Sequence, residues 1–167
     1  TTGVNDGVRL FINIIAMLLV FTALVALVNY SLAAAPEVFG APLSVERVLG
    51  WVFAPLVWLA GIPWAEAQDA GSVMGFKTAL NEIFAYAELA ARAEDLSPRT
   101  TLIMTYAACG FANFSSVGIL VGGLIAVAPS RRADILDLAP RALISGTLAT
   151  LMTGAVIGAL PGGLFGL

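Results

Sequence analysis

Charge is scarce in this sequence. Of its 167 residues only 11% are Asp, Glu, Lys or Arg, against 59% hydrophobic, and the mean hydropathy is +0.94. A soluble domain carries about 25% charged residues. So few charges cannot solvate the surface of a small globule, so most of this surface must face lipid or protein. Histidine is absent and Cys109 is the only cysteine. That excludes a disulfide framework and any ordinary zinc or haem site. Cys109 sits in the apolar stretch 106–111, where it is expected to be a small buried hydrophobe. There is no basic run, and the net charge is -3, so nucleic acid is excluded as a partner. No nucleophile–base pair or metal cluster is visible, which argues against an enzyme. No basic segment precedes the first apolar run, and that run is too long for a signal peptide. The chain opens without methionine on the polar stretch 1–6, which suggests a truncated N-terminus.

What the sequence does contain is a series of apolar segments, expected to form an all-α integral membrane protein. Residues 8–33 are long enough to cross the hydrocarbon, which takes about 20 apolar residues. Arg9, Asn13 and Asn29 interrupt this run near its ends, and a loop is expected up to residue 42. In residues 43–63, Ser44 caps a helix start, Pro55 interrupts the run, and Trp51 and Trp58 share a face. Tryptophan prefers the headgroup level, so a helix in or near the interface is expected, with a short full span as the alternative.

Residues 64–89 are too polar for a plain span. Glu66, Asp69, Lys77, Asn81, Glu82 and Glu88 lie there among glycines and alanines. Two half-length helices joined near residues 79–82 fit better, as a re-entrant helical hairpin followed by a loop to residue 97. Irregular backbone at membrane depth survives only where protein or water covers it. A surface amphipathic hairpin is the other possibility. Ser97 and Pro98 then mark a helix start. The apolar stretch 98–128 carries Gly110-Phe111-Ala112-Asn113-Phe114-Ser115-Ser116 at its centre, which predicts a broken helix. Residues 129–139 are expected as a loop, and Pro140 as the opening of a last span ending near residue 160. Arg131 and Arg132 place that loop in the cytoplasm by the positive-inside rule, with the hairpin opening to the outside. Gly118 and Gly122, and Gly154 and Gly158, have the spacing of close helix packing.

Glu82 is the foremost candidate for chemistry. A carboxylate at bilayer depth costs roughly 3 kcal/mol and is tolerated where it faces a cavity with partners. At a hairpin tip it can accept two hydrogen bonds from a diol, with Asn81 beside it. An ion pair to Lys77 is the structural alternative. Asn113 and Ser116 form a second cluster, at an unwound backbone that completes a substrate or ion shell or else serves as interhelical glue. Phe111 and Phe114 are candidates to wall the cavity. Glu66, Asp69 and Glu88 are expected as a solvated rim, and the methionines as filler.

Four strings carry a resemblance: Gly50-Trp51-Val52-Phe53-Ala54-Pro55, Asn81-Glu82-Ile83-Phe84-Ala85-Tyr86, Cys109-Gly110-Phe111-Ala112-Asn113-Phe114-Ser115-Ser116 and Ala128-Pro129-Ser130-Arg131-Arg132. With these the chain resembles the C-terminal half of a concentrative nucleoside transporter. The resemblance implies an ion-coupled nucleoside symporter of the cell inner membrane, multi-pass and homotrimeric, moving by an elevator-like shift. It implies that residues 1–42 hold a scaffold-type transmembrane helix, residues 64–97 the second re-entrant hairpin and residues 129–167 the last span. Glu82, Asn113 and Ser116 would bind the ribose. The coupling ion, sodium or proton, and the base would be held mainly by a first hairpin and first broken helix outside these 167 residues. The alternatives are a non-transporting membrane subunit and a transporter of the same architecture for another polar solute.

Overall fold

The computed structural model describes residues 2–38 and 40–166, and among these it forms helices and turns but no β-strand. The helices are α1 (Thr2–Leu32), α2 (Val45–Leu59), α3 (Trp64–Ala79), α4 (Glu82–Ala91), α5 (Pro98–Ala108), α6 (Phe114–Val127) and α7 (Arg132–Ala159). Two of these regions, Gly3–Leu32 and Pro129–Ala159, are long and apolar enough to cross a membrane. At 1.5 Å per residue, α1 extends about 46 Å, whereas α3 to α6 extend only about 15–24 Å each, less than a hydrocarbon core of about 30 Å.

No residue of the apolar window of α1 is buried. Its half-covered positions, Ile14, Met17, Leu18, Phe21, Thr22, Val25, Asn29 and Leu32, recur at helical spacing on one stripe, and Met17 and Phe21 of that stripe reach Gly118 of α6. A polar link ties the end of α1 to the start of α2. Asn29 Nδ2 donates to both Glu46 carboxylate oxygens at 3.0 and 2.9 Å, and Asn29 Oδ1 accepts from Val45 N at 2.8 Å. Glu46 is only 4% exposed, and its place in the first turn of α2 sets the carboxylate against the positive end of that helix.

The core lies between α2, α3, α5 and α7. Phe53, Val57, Ile62, Val73, Met74, Ile103, Met104 and Leu151 form one buried cluster. Helices α2 and α3 run close because Gly50, Gly71 and Gly75 remove side chains from their crossing. A Cβ on Gly71 would come within 2.5 Å of Gly50 O, and one on Gly75 would collide with Glu46 O. Backbone atoms cannot yield as a flexible side chain does. Gly75→Ala is therefore expected to destabilise the fold by about 1–3 kcal/mol, the usual cost of overpacking. The check is thermal unfolding in detergent, and an unchanged midpoint would mean that the two helices part without penalty.

Residues 129–139 are not the loop expected from their polarity. Pro129–Arg131 form a 3-10 turn, and α7 starts at Arg132 with Pro140 inside it. Arg131 Nε pairs with Asp134 at 2.6 Å and Arg141 with Asp137 at 3.5 Å, at helical spacings. These polar residues lie on exposed helical turns instead of irregular backbone. Pro140 lacks only the one amide that would have met Leu136 O.

The remaining charges are partly structural too. Asp69 and Glu88 both pair with Arg92, joining α3 to the end of α4. Glu66 Oε2 accepts from Ser97 N and Ser97 Oγ, each at 3.0 Å, and Ser97 in turn caps α5. Trp51 and Trp58 have separate partners: Arg47 lies 5.5 Å over the Trp51 ring, and Trp58 meets Trp64 edge to face at 5.9 Å.

Candidate functional site

Two interruptions of helix carry the candidate residues. The first, at residues 80–81, separates α3 from α4. Asn81 takes extended backbone and caps α4, its Oδ1 accepting from Ile83 N at 3.0 Å and Phe84 N at 3.3 Å. The short side chains of Asn and Asp compete with the helical ladder in this way, which is why helices start at them. Glu82 is then the first residue of α4. A carboxylate there is stabilised by the N-terminal amides of the helix.

The second interruption, residues 109–113, separates α5 from α6. Asn113 caps α6, its Oδ1 accepting from Ser116 N at 2.7 Å. Asn113 is 0% exposed and Ser115 is buried beside it. The fold brings the two interruptions together: Asn113 Nδ2 donates to Glu82 Oε2 at 3.3 Å across 31 residues of sequence. Two helix N-termini thus converge on one carboxylate–amide pair.

The pair keeps unused capacity. An ionised carboxylate offers about four acceptor positions, and a side-chain amide has two N–H donors. Glu82 is half-buried, so it stands in front of the covered Asn113. Asn81 has spent its carbonyl oxygen on the α4 cap. Ser116 contributes its backbone amide to the α6 cap. Phe111 is 75% exposed within the second interruption. Cys109, expected to be buried, is exposed: it ends α5 where the helix gives out, beyond the packed face of Ile103, Met104, Ala107 and Ala108.

The alternative in which Lys77 pairs with Glu82 is not what the structure shows. No ion pair forms between them, and Lys77 Nζ instead donates to Thr150 Oγ1 on α7 at 2.7 Å. Sequence reasoning missed Thr150 altogether. Its one signal is a hydroxyl at the vacant place in a series spaced four residues apart, where Gly146, Gly154 and Gly158 hold the other positions.

A groove of about 780 Å³ runs between α1 and α6, past Arg9, Asn13, Met17, Gly118, Gly122 and Val127. It contains none of the candidate residues. It is a gap between two loosely packed apolar helices, so the chemistry is read from the Glu82–Asn113 contact instead.

Residues 1–158 match the family model described as "Na+ dependent nucleoside transporter C-terminus". The chain is 45% identical over 157 residues to the uncharacterized transporter YutK of Bacillus subtilis, covering 93% of this chain and 39% of that protein. It is 39% identical over 162 residues to the nucleoside permease NupC of Helicobacter pylori, with 93% of this chain and 39% of that protein covered. Among solved structures, a CNTnw variant in an intermediate state superposes with a TM-score of 0.85 at 40% identity, over 94% of this chain and 40% of that one. CNTnw in an inward-facing substrate-bound state gives 0.80 at 39% identity, over 99% and 41%. The chain thus spans about two fifths of the length of these relatives. With the family model covering nearly all of it and its helices superposing on those structures, the chain belongs to the concentrative nucleoside transporter family and corresponds to the family's C-terminal part.

Proposed function

We propose that this chain supplies the sugar-binding half of an ion-coupled nucleoside symporter, with Glu82 and Asn113 as the residues that hold the ribose. The observation that carries the reading is the Glu82–Asn113 contact, where two interrupted helices meet. At 3.3 Å that contact is longer than the usual N–H···O distance of about 2.9–3.0 Å. A ribose diol inserted between the two side chains replaces it with better bonds. Both hydroxyls donate to the Glu82 carboxylate, and the second N–H of Asn113 donates to a sugar oxygen. Ser116, in the first turn of α6, assists with its hydroxyl, and the Asn81 amide and Phe111 complete the wall once the rest of the protein closes over them.

On this reading α3 and α4 form a re-entrant hairpin with the turn at residues 80–81 inside the membrane, and α5 and α6 are the halves of a broken span. The half-lengths of these helices support it, since none crosses the hydrocarbon alone. The uncovered apolar surface of α1 calls for lipid or protein around it. That fits a multi-pass protein of the cell inner membrane, assembled as a homotrimer. The coupling ion, sodium or a proton, is carried with the substrate.

Competition at the natural gene product in proteoliposomes tests the reading. Unlabelled uridine should suppress radiolabelled uridine uptake, while uracil, which lacks the sugar, should require a concentration at least about tenfold higher, the equivalent of one lost hydrogen bond of about 1.4 kcal/mol. Equal potency of uracil and uridine would remove the sugar from the recognition and with it this assignment.

A further inference from the structure

The two interruptions do not only meet at Glu82 and Asn113. A single side chain on α7 also links the last turn of α3, just before the first interruption, to the second interruption. Thr150 Oγ1 accepts from Lys77 Nζ at 2.7 Å. The same hydroxyl donates to Thr147 O at 3.0 Å, one turn earlier on α7. With its own proton committed to that carbonyl, the oxygen is fixed as an acceptor facing α3. The methyl group of Thr150 lies against Gly110 so tightly that a Cβ on that glycine would collide with it. Thr150 therefore touches α3 five residues before Glu82 and the second interruption three residues before Asn113.

The neighbours on α7 show why this spot is singular. Gly146, Gly154 and Gly158 fall on the same face at four-residue spacing. A Cβ at Gly146 would lie 3.1 Å from Ala112 Cβ, and one at Gly154 would lie 2.9 Å from Ala107 Cβ. The face thus presses bare backbone onto α5 and the interruption after it. Only at position 150 does this run carry a side chain, and that side chain is the acceptor for a lysine that is 0% exposed. A buried ammonium without an acceptor is strongly unfavourable, so the bond holds the last turn of α3 in place.

We infer that Thr150 is a positioning residue for the sugar site: it fixes the turn before Glu82 and the backbone before Asn113 to one point on α7, so that carboxylate and amide stay in register for the ligand. The inference rests on the ribose reading above. It goes beyond it by assigning the register of the pair to a residue that touches neither of them.

The test is the Kd for uridine, measured on purified natural gene product in detergent, for Thr150→Val, Thr150→Ser, Lys77→Met/Thr150→Val and Glu82→Gln. Valine keeps the methyl against Gly110 and deletes the acceptor. Thr150→Val should weaken uridine binding by about tenfold or more, the scale of one unsatisfied buried donor. Thr150→Ser retains the hydroxyl and gives up only the methyl contact with Gly110; it should stay within about threefold of wild type, because the acceptor for the buried ammonium is the stronger of the two ties. Should Thr150→Val fail to fold, the double variant, which has no stranded charge, should fold and bind weakly. Wild-type affinity in Thr150→Val, equal weakness in the valine and serine variants, or wild-type affinity or misfolding in the double variant would each overturn the inference. Glu82→Gln separates the two claims. If it binds normally, the ribose reading fails; if it binds weakly while Thr150→Val binds normally, only the role of Thr150 fails.

Discussion

Glu82→Gln is expected to cut uridine uptake by roughly 30-fold to 1,000-fold at equal amounts of protein in the membrane. Glutamine keeps the length of the side chain and one acceptor oxygen. It removes the charge and turns the second oxygen into a donor, which faces a diol that needs acceptors. Hydrogen bonds to a charged group contribute about 1.5–3 kcal/mol and neutral ones about 0.5–1.5 kcal/mol. Weakening one bond and losing another amounts to about 2–4 kcal/mol, and each 1.4 kcal/mol is tenfold. The fold should survive, because the α4 cap is Asn81 and the lost helix-terminus charge costs only about 0.3–1 kcal/mol. Uptake of labelled uridine by proteoliposomes with matched protein content is the measurement, and a loss under threefold would leave Glu82 without the role given to it.

Asn113→Asp is expected to be nearly as damaging, for the opposite electrostatic reason. The aspartate keeps the oxygen that accepts from Ser116 N, so α6 remains capped. It replaces the Nδ2 donor, 3.3 Å from Glu82, with a second carboxylate oxygen. Two carboxylates at that separation cannot both stay ionised without large repulsion. At pH 7.5 uptake should fall about 10-fold to 100-fold below wild type, the equivalent of one charged hydrogen bond. As the pH is lowered toward 5.5 the ratio of variant to wild type should rise, since a shared proton restores a donor between the two groups. Asn113→Ser separates the cap from the contact: it keeps a capping oxygen and should fold, but it cannot reach Glu82. A pH-independent ratio for Asn113→Asp would mean that the two side chains do not face each other in the working protein.

Both interruptions were legible in the sequence, because each puts a capping amide where an apolar run should continue. Asn81 and Asn113 offer the backbone a partner that ends the helical ladder locally, and Glu82 beside the first is costly enough at depth to demand an explanation. The start of α7 was not legible. Polarity reads as a loop only if the segment must leave its helix to reach water, and residues 132–139 stay helical with their charges exposed. Cys109 was misjudged because an apolar string does not show where its last helical turn runs out. The alternative to a ligand role for Glu82 was an ion pair with Lys77, five residues away; the lysine meets instead a hydroxyl 73 residues on. Sequence spacing holds no information about that contact, nor about Gly75 lying against Glu46. Both are set by the tertiary fold: α3 packs closely along α2, and the Lys77 side chain reaches from it to α7.

The most direct test crosses the protein with its ligand. Inhibition constants of uridine and of 2′,3′-dideoxyuridine are measured against labelled uridine in the wild-type natural gene product and in Glu82→Gln, with a more sensitive binding readout should uptake be too weak. If this carboxylate receives the sugar hydroxyls, the wild type should favour uridine strongly, and the glutamine variant should lose most of that preference. A preference of the same size in both would contradict the account, since the hydroxyls would then be recognised without Glu82.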